Sequence, residues 1–338
     1  MSKDKGFQFS ILFLFIWIIT SIISLVTFDQ DFPKLNLSNK LLPPLSSSLN
    51  SDSIYFLGTD ELGRDVLTCL IEGASNALAI GLLSVFIAAF IGILIGSISS
   101  YFGDKELKVN IIEIIIKTIS LTIYFLFVIF IIPWTQIEFV SIWFHLLLPF
   151  TVVFLVFYLA KKIGQKGILN KQLTLPVDLI IGRIIEIFES LPTLFILVAL
   201  STLISGSWLS ISLIIGFTTW PNIAKFTRSE FLKIKQTTFI EASQALGLDK
   251  KTIILKHFLP NAISPIIVTL AFGVASAVII ESTLAFLGLG LNAESASWGN
   301  ILASARLNMD AWWLTLFPSI AIYFVIYSCS TIGEKLKI

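Results

Sequence analysis

Hydrophobic positions along this chain come in long unbroken blocks rather than in amphipathic stripes. Residues 77–98 and 311–333 carry no charge, nor do 262–280, and 9–28 form an apolar run of 20 residues. A bilayer core of about 30 Å takes roughly 20 apolar residues of helix, so each block predicts a membrane span. Four further blocks predict spans with polar interruptions. These are 111–132 with Glu113 and Lys117, 139–160 with His145 and Pro149, 179–204 with Arg183, Glu186 and Glu189, and the short 208–224 with Pro221. The expectation is an all-α polytopic membrane protein of about eight transmembrane helices. Gly81, Gly92 and Gly96 offer close helix contacts inside the second span.

The polar gaps between blocks set the sidedness. With the N-terminus inside, 17 of the 23 Lys and Arg fall on one face of the membrane and four (Lys34, Lys40, Arg64, Arg306) on the other. Lys117 and Arg183 fall within spans. The positive-inside rule therefore predicts two cytoplasmic termini. The 9–28 block starts after basic residues like a signal peptide. Its length exceeds the usual apolar core of one and it lacks a small-x-small cleavage site, so it predicts an uncleaved first helix. Residues 29–72 then form an external loop, in which "LPPLSSSLNSDS" reads as a Pro/Ser linker.

Composition agrees: the chain is 56% hydrophobic and 13% charged, where soluble domains carry about a quarter charged residues. A net charge of +1 gives no electrostatic case for nucleic acid. Cys69 and Cys329 match no metal or redox spacing and read as small apolar fillers. No phosphate-cradling Gly-x-x-x-x-Gly-Lys-Ser/Thr run, zinc-protease motif, nucleophile elbow or Cys/His cluster is present. His145 has no evident catalytic partner. The absence of these motifs counts against an enzyme, and we expect no catalytic residues, no metal and no cofactor.

One polar stretch resists the pattern. The 225–260 loop holds seven of the 17 inside charges, and "TFIEASQALGLDKKTIILKHFLPN" (238–261) reads as two short helices around a bend. Gly247 suits the left-handed position after a helix, and Asp249 suits an N-cap. Pro260 marks the entry to the next span. Such an elbow is either a solvated connector or a surface that docks into a groove on another protein.

"EASQALG", nine residues, then "HFLP" resembles the EAA loop of the permease subunits of ABC importers. Glu241, Ala242, Gly247, Leu259 and Pro260 match its fixed positions, Ser243 replaces the usual second alanine, and His257 is typical of one subgroup. "FLGTDELGRDVLT" (56–68) and "ESTLAFLGLGLNAESASWGNILASA" (281–305) resemble segments of that subgroup, the dipeptide, oligopeptide and nickel permeases. With "YFG" (101–103) and "VDLIIGRIIEIFESLP" (177–192), the resemblance covers most of 55–103 and 177–338 and fits the C-type half of a heteromeric pair. It implies an ABC type I importer permease core in a bacterial inner membrane. It further implies a homologous permease as heterodimer partner, two ATP-binding ATPase subunits below and an external substrate-binding protein above. Cargo would be di- or oligopeptides, with nickel or another small solute as the alternative, and a secondary transporter or channel as the competing class. Relatives have only a short loop where 104–176 stands here, so this stretch predicts an inserted pair of spans. Cys69 stands for a usual arginine, and Glu186 for a usual aspartate.

The expected organisation is thus a first helix (1–28), the external loop (29–72), a core helix (73–103), the insertion (104–176) and a permease core (177–338). In the external segment, Gly58, Thr59, Asp60, Gly63, Arg64 and Asp65 suit an Asx-type turn with a local ion pair, and the resemblance implies a structured segment that helps receive the binding protein. Arg183 and Glu186, at i and i+3, suit an intramembrane ion pair, and Glu186 and Glu189 share the same spacing. Glu281 could cap, pair or line an exit. Thr193, Ser201, Thr219, Asn222, Ser264, Thr269 and Ser276 are candidate pathway groups, each of which could instead satisfy a helix carbonyl.

Overall fold

The computed structural model describes residues 5–27, 35–48, 54–104, 108–110, 172–204, 206–249, 252–292 and 295–336, besides single positions 120, 153 and 156. Apart from those single positions, the expected spans 111–132 and 139–160 lie outside the described residues. Contacts divide the chain into Met1–Tyr101 with Gly182–Ile338, and Phe102–Ile181.

In the larger unit, helices α1 (Lys5–Thr27), α2 (Val66–Phe102), α7 (Leu259–Phe286) and α9 (Trp313–Leu336) follow from the apolar blocks. Four helical stretches among the described residues are long and apolar enough to cross a membrane, Lys5–Ser24, Val66–Phe102, Ile253–Phe286 and Trp313–Leu336. A bent helix pair would make a fifth crossing if it forms a single span. The block expected as one span over 179–204 is two helices, α3 (Val177–Ser190) and α4 (Thr193–Leu203), bent by 79°. Pro192 is the cause: it disfavours helical backbone at Leu191 and itself occupies the N-cap of α4. The 208–224 block extends to α5 (Trp208–Lys235), whose second half carries the basic residues, with Pro221 inside the helix.

α2 packs as a lipid-embedded helix does, with small residues inward and large ones outward. Leu82, Phe86, Phe90 and Leu94, each four residues apart, are exposed, whereas Ser84, Ala88, Ala89, Gly92 and Gly96 are buried. A Cβ on Gly92 would lie 2.9 Å from the Trp220 carbonyl oxygen, and one on Gly96 would lie 2.5 Å from that of Ala224. Backbones of α2 and α5 therefore touch, as the glycine pattern predicts, while Gly81 meets Val274 and Val278 of α7. α2 also starts 11 residues before its apolar block. Asp65 supplies the cap, accepting from the Leu67 amide at 3.3 Å and the Thr68 hydroxyl at 2.8 Å. At 1.5 Å per residue its 37 residues run about 55 Å, well beyond the bilayer core.

Three apolar clusters hold this unit. Ile80, Leu197, Ile215 and Leu284 join α2, α4, α5 and α7. Trp17, Ala74, Val278, Trp298 and Val325 join α1, α2, α7, α8 (Trp298–Leu307) and α9. Val66, Cys69, Ile301 and Trp313 form the third, and both cysteines are buried, Cys329 in the second cluster, as fillers are. α8 was not anticipated from hydropathy, being short. Its sequence-level signal is Ser297, which accepts from the Gly299 amide at 3.1 Å.

The expected linker is partly folded. Ser46–Ser47 (β1) pairs antiparallel with Ile54–Tyr55 (β2), a tie that requires tertiary closure and leaves no periodicity to read. In the smaller unit, β3 (Lys108–Asn110) pairs antiparallel with β4 (Gln172–Thr174), and the Val177 amide donates to the Gly103 carbonyl at 3.1 Å.

Candidate functional site

The elbow begins where α5 ends. The Gln236 amide bonds back to the Lys233 carbonyl at 3.3 Å, and α6 (Thr238–Ala245) follows. Gly247 takes φ +71°, and the Leu248 amide donates to the Ser243 carbonyl at 3.3 Å, the 6→1 bond of a Schellman termination. Asp249 then caps the next turn, its carboxylate accepting from the Thr252 amide at 3.2 Å and from the Thr252 hydroxyl. Both local expectations hold.

The second arm differs from the expectation of a separate short helix. Ile253–Phe258 is a π-helical stretch that runs without a break into α7, with Pro260 at its first turn. Proline has no N–H to offer the Lys256 carbonyl, and π-type bonding lets the backbone pass that missing link without ending the helix.

One side of the elbow is anchored. Ile240, Ile253 and Phe258 are buried, the Phe258 ring lying tilted against Phe231 and edge-on to Tyr101 at ring separations of 5.2 and 5.9 Å. The Lys235 ammonium donates to the Tyr101 carbonyl at 2.8 Å. Ser243 is also buried, its hydroxyl donating to the Phe239 carbonyl at 2.7 Å. The other side is bare: Glu241, Ala242, Gly247 and Pro260 are exposed, with Leu246 at 81%. His257 and Leu259 are half-buried.

A second candidate is a cavity of about 280 Å³ among α4, α5 and α7. Thr193, Thr219, Asn222 and Ser276, four of the seven polar candidates, line it together with Thr283 and apolar residues. Thr219 donates to the Ile215 carbonyl at 2.8 Å, so its hydroxyl keeps an accepting lone pair. The other three candidates lie elsewhere: Ser201 bonds the Leu197 carbonyl at 2.6 Å, Ser264 that of Leu336 at 3.4 Å, and Thr269 that of Pro265 at 3.2 Å. A larger groove of about 400 Å³, lined by Phe86, Phe90, Leu94, Phe231 and Leu255 among others, is almost wholly apolar and faces outward from α2. It offers nothing to replace the water of a polar solute.

The external segment is buried rather than displayed. Asp60 accepts from the amides of Leu62 and Arg64 at 2.9 and 2.8 Å and from Arg64 Nε at 2.7 Å, an Asx turn closed by an ion pair, with Arg64 3% and Asp60 0% exposed. Burial works against the Arg64 charge, and the negative groups around it more than offset that, holding its pKa above the ordinary value. Thr59 donates to the Asn39 carbonyl at 2.6 Å, and the Trp313 indole donates to the Thr59 carbonyl at 3.1 Å. Gly58 and Gly63 both take positive φ, and a Cβ on Gly63 would overlap the Asn36 carbonyl.

Arg183 and Glu186 pair at 2.7 Å on a surface where their side chains are 69% and 61% exposed. Glu189 does not sit with Glu186: it meets Lys225 of α5 at 3.0 Å, a partner that helix spacing within α3 cannot show. Glu281, for which capping, pairing and lining an exit were all open, is 1% exposed and accepts from Ser297 at 2.7 Å and Ser282 at 3.2 Å. Among the described residues no group of three or more His, Cys, Asp or Glu could hold a metal ion.

The model of the family described as "Binding-protein-dependent transport system inner membrane component" matches residues 172–335, which include the elbow and the polar cavity. A putative peptide transport system permease protein of Brucella suis is 31% identical over 208 residues, covering 60% of this chain and 68% of that one. The dipeptide transport system permease DppC of Bacillus subtilis is 26% identical, covering 97% and 78%, and the oligopeptide permease OppC of Haemophilus influenzae is 25% identical, covering 87% and 72%. Among solved structures, the inward-facing MetNI methionine ABC transporter covers 80% of this chain and 97% of its own at 16% identity and a TM-score of 0.47. The chain therefore belongs to the binding-protein-dependent transport family, as an inner-membrane permease subunit of an ABC importer and not an enzyme.

Proposed function

We propose that this chain forms half of the membrane pore of a peptide importer, in a heterodimer with a homologous permease whose two halves rest on two ATPase subunits. The relatives' names as peptide permeases support the cargo. Both termini lie in the cytoplasm, and the lipid bilayer surrounds the exposed faces of α1 and α2.

The observation that carries the coupling role is the two-sidedness of the elbow. Ile240, Ser243, Ile253 and Phe258 fasten it to the body of the chain, while Glu241, Ala242, Leu246 and Gly247 stand free with nothing within 4 Å of a Cβ placed on Gly247. A docked ATPase would seat Leu246 in a groove, with Glu241 at its rim and His257, Leu259 and Pro260 in the arm that carries the push into α7. ATP-driven closure then switches the pore between outward and inward access. The 58–65 segment serves the binding protein as a rigid platform, its buried Asp60–Arg64 pair holding shape while the neighbouring surface makes contact. Residues 104–176 add a pair of lipid-facing spans.

The test is co-purification. Glu241→Lys and Leu246→Asp, made in the chain expressed with its native partners, should release the ATPase subunits and abolish peptide uptake in vesicles. Retention of both the ATPase and uptake in these variants would remove the coupling role from this elbow.

A further inference from the structure

The polar cavity among α4, α5 and α7 has a chemical character of its own: its polar groups are all neutral. Four hydroxyls (Thr193, Thr219, Ser276 and Thr283) and one carboxamide (Asn222) face a space of about 280 Å³, close to the lower end of the ~300–1,000 Å³ usual for ligand cavities. Asn222 and Ser276 are exposed and make no side-chain hydrogen bond among the described residues. An amide offers two donors and an acceptor, the complement of a peptide's main chain.

Charges close to this space on its own elements are turned away or neutralised. Glu281 falls between the lining residues Ile280 and Thr283, yet it is buried against Ser297 and Ser282. Lys225, one turn from Asn222 on α5, is paired with Glu189 at 3.0 Å. A fixed charge in this wall would attract one sign of side chain and repel the other, strongly so where water is scarce.

We infer that Asn222, flanked by Thr193, Thr219 and Ser276, is the point where this half of the pore contacts the peptide main chain, and that the wall is kept uncharged so that side-chain charge does not set the passage rate. This rests on the peptide-importer reading above and assigns its pathway contact. Selection by side chain then falls to the binding protein, and the pore contributes only hydrogen bonds common to every peptide.

The test uses the whole transporter in proteoliposomes, supplied with its binding protein, and three labelled tripeptides with alanine, glutamate or lysine as the central residue. Rates are scaled to the binding protein's occupancy by each peptide. Wild type should pass all three at similar scaled rates. Asn222→Ala should slow all three by a common factor of about 2–10, the loss of one hydrogen bond. Asn222→Asp should split them, slowing the glutamate peptide relative to the lysine peptide by about tenfold. Ser276→Asp, on the facing helix, makes the same charge test if Asn222→Asp does not assemble. Wild-type vesicles that pass none of the three overturn the peptide reading and this inference with it. Vesicles that pass them while Asn222→Ala changes nothing, or in which neither aspartate variant separates glutamate from lysine, overturn this inference alone.

Discussion

Truncating Asp60 should open the external segment far more than its size suggests. Its carboxylate accepts three hydrogen bonds, two from backbone amides and one from Arg64, at 2.7–2.9 Å and with no solvent access. Asp60→Ala leaves the Arg64 guanidinium 3% exposed without the carboxylate that binds its Nε. Removing one partner of a buried pair costs about 3–5 kcal/mol, or between two and four decades in the local opening equilibrium. Removing both charges costs much less, because the penalty lies chiefly in the stranded partner. Asp60→Ala/Arg64→Leu should therefore recover more than half of the loss, the rest reflecting two unpaired backbone amides. The readout is the rate at which a non-specific protease cuts between residues 54 and 65 in the nanodisc-held transporter, which follows the open population when reclosing is fast. Equal cutting of wild type and Asp60→Ala, or a double variant as labile as the two single effects added together, would refute this account.

Gly96→Ala must push α2 from α5 by close to an ångström, since its Cβ starts 2.5 Å from the Ala224 carbonyl oxygen. It should cost about 1–3 kcal/mol, seen as a lower thermal midpoint, whereas Gly182→Ala, with nothing within 4 Å, should be neutral or mildly stabilising. The reverse order would contradict the backbone contact. At Gly247 the surroundings are open and only the φ of +71° discriminates. Gly247→Asn should thus retain ATPase binding and Gly247→Val should lose it, read by co-purification, and equal retention would show that the bend tolerates any residue.

What could be read ahead of the structure was what local chemistry decides. The small-residue face of α2, the left-handed Gly247, the capping Asp249 and the Asx turn at Asp60 each depend on a few neighbouring residues, and each appears as expected. The first arm of the elbow was legible for the same reason, and four of the seven polar candidates line one cavity. What escaped depends on distant partners. The anchoring of the elbow needs the packing of Phe258 on Tyr101 and Phe231, and Glu189 needs Lys225, 36 residues away. The 79° break at Leu191–Pro192 was signalled by proline, but hydropathy averages across it. The burial of Arg64 follows from Trp313 and the 36–42 stretch closing over the turn, which no window around 58–65 contains.

The unbroken join of the elbow to α7 has a mechanical consequence. Ser276 and Thr283 stand 18 to 30 residues beyond Ile253–Phe258 on one continuous rod, about 27–45 Å along its axis. A helix of that length bends little except at identifiable weak points, and Pro265 is the weak point here. Under the proposed coupling, a push received at the elbow would become a tilt about Pro265, with the hydroxyls beyond it swinging the opposite way, and moving Pro265 along α7 would change the gearing of that lever.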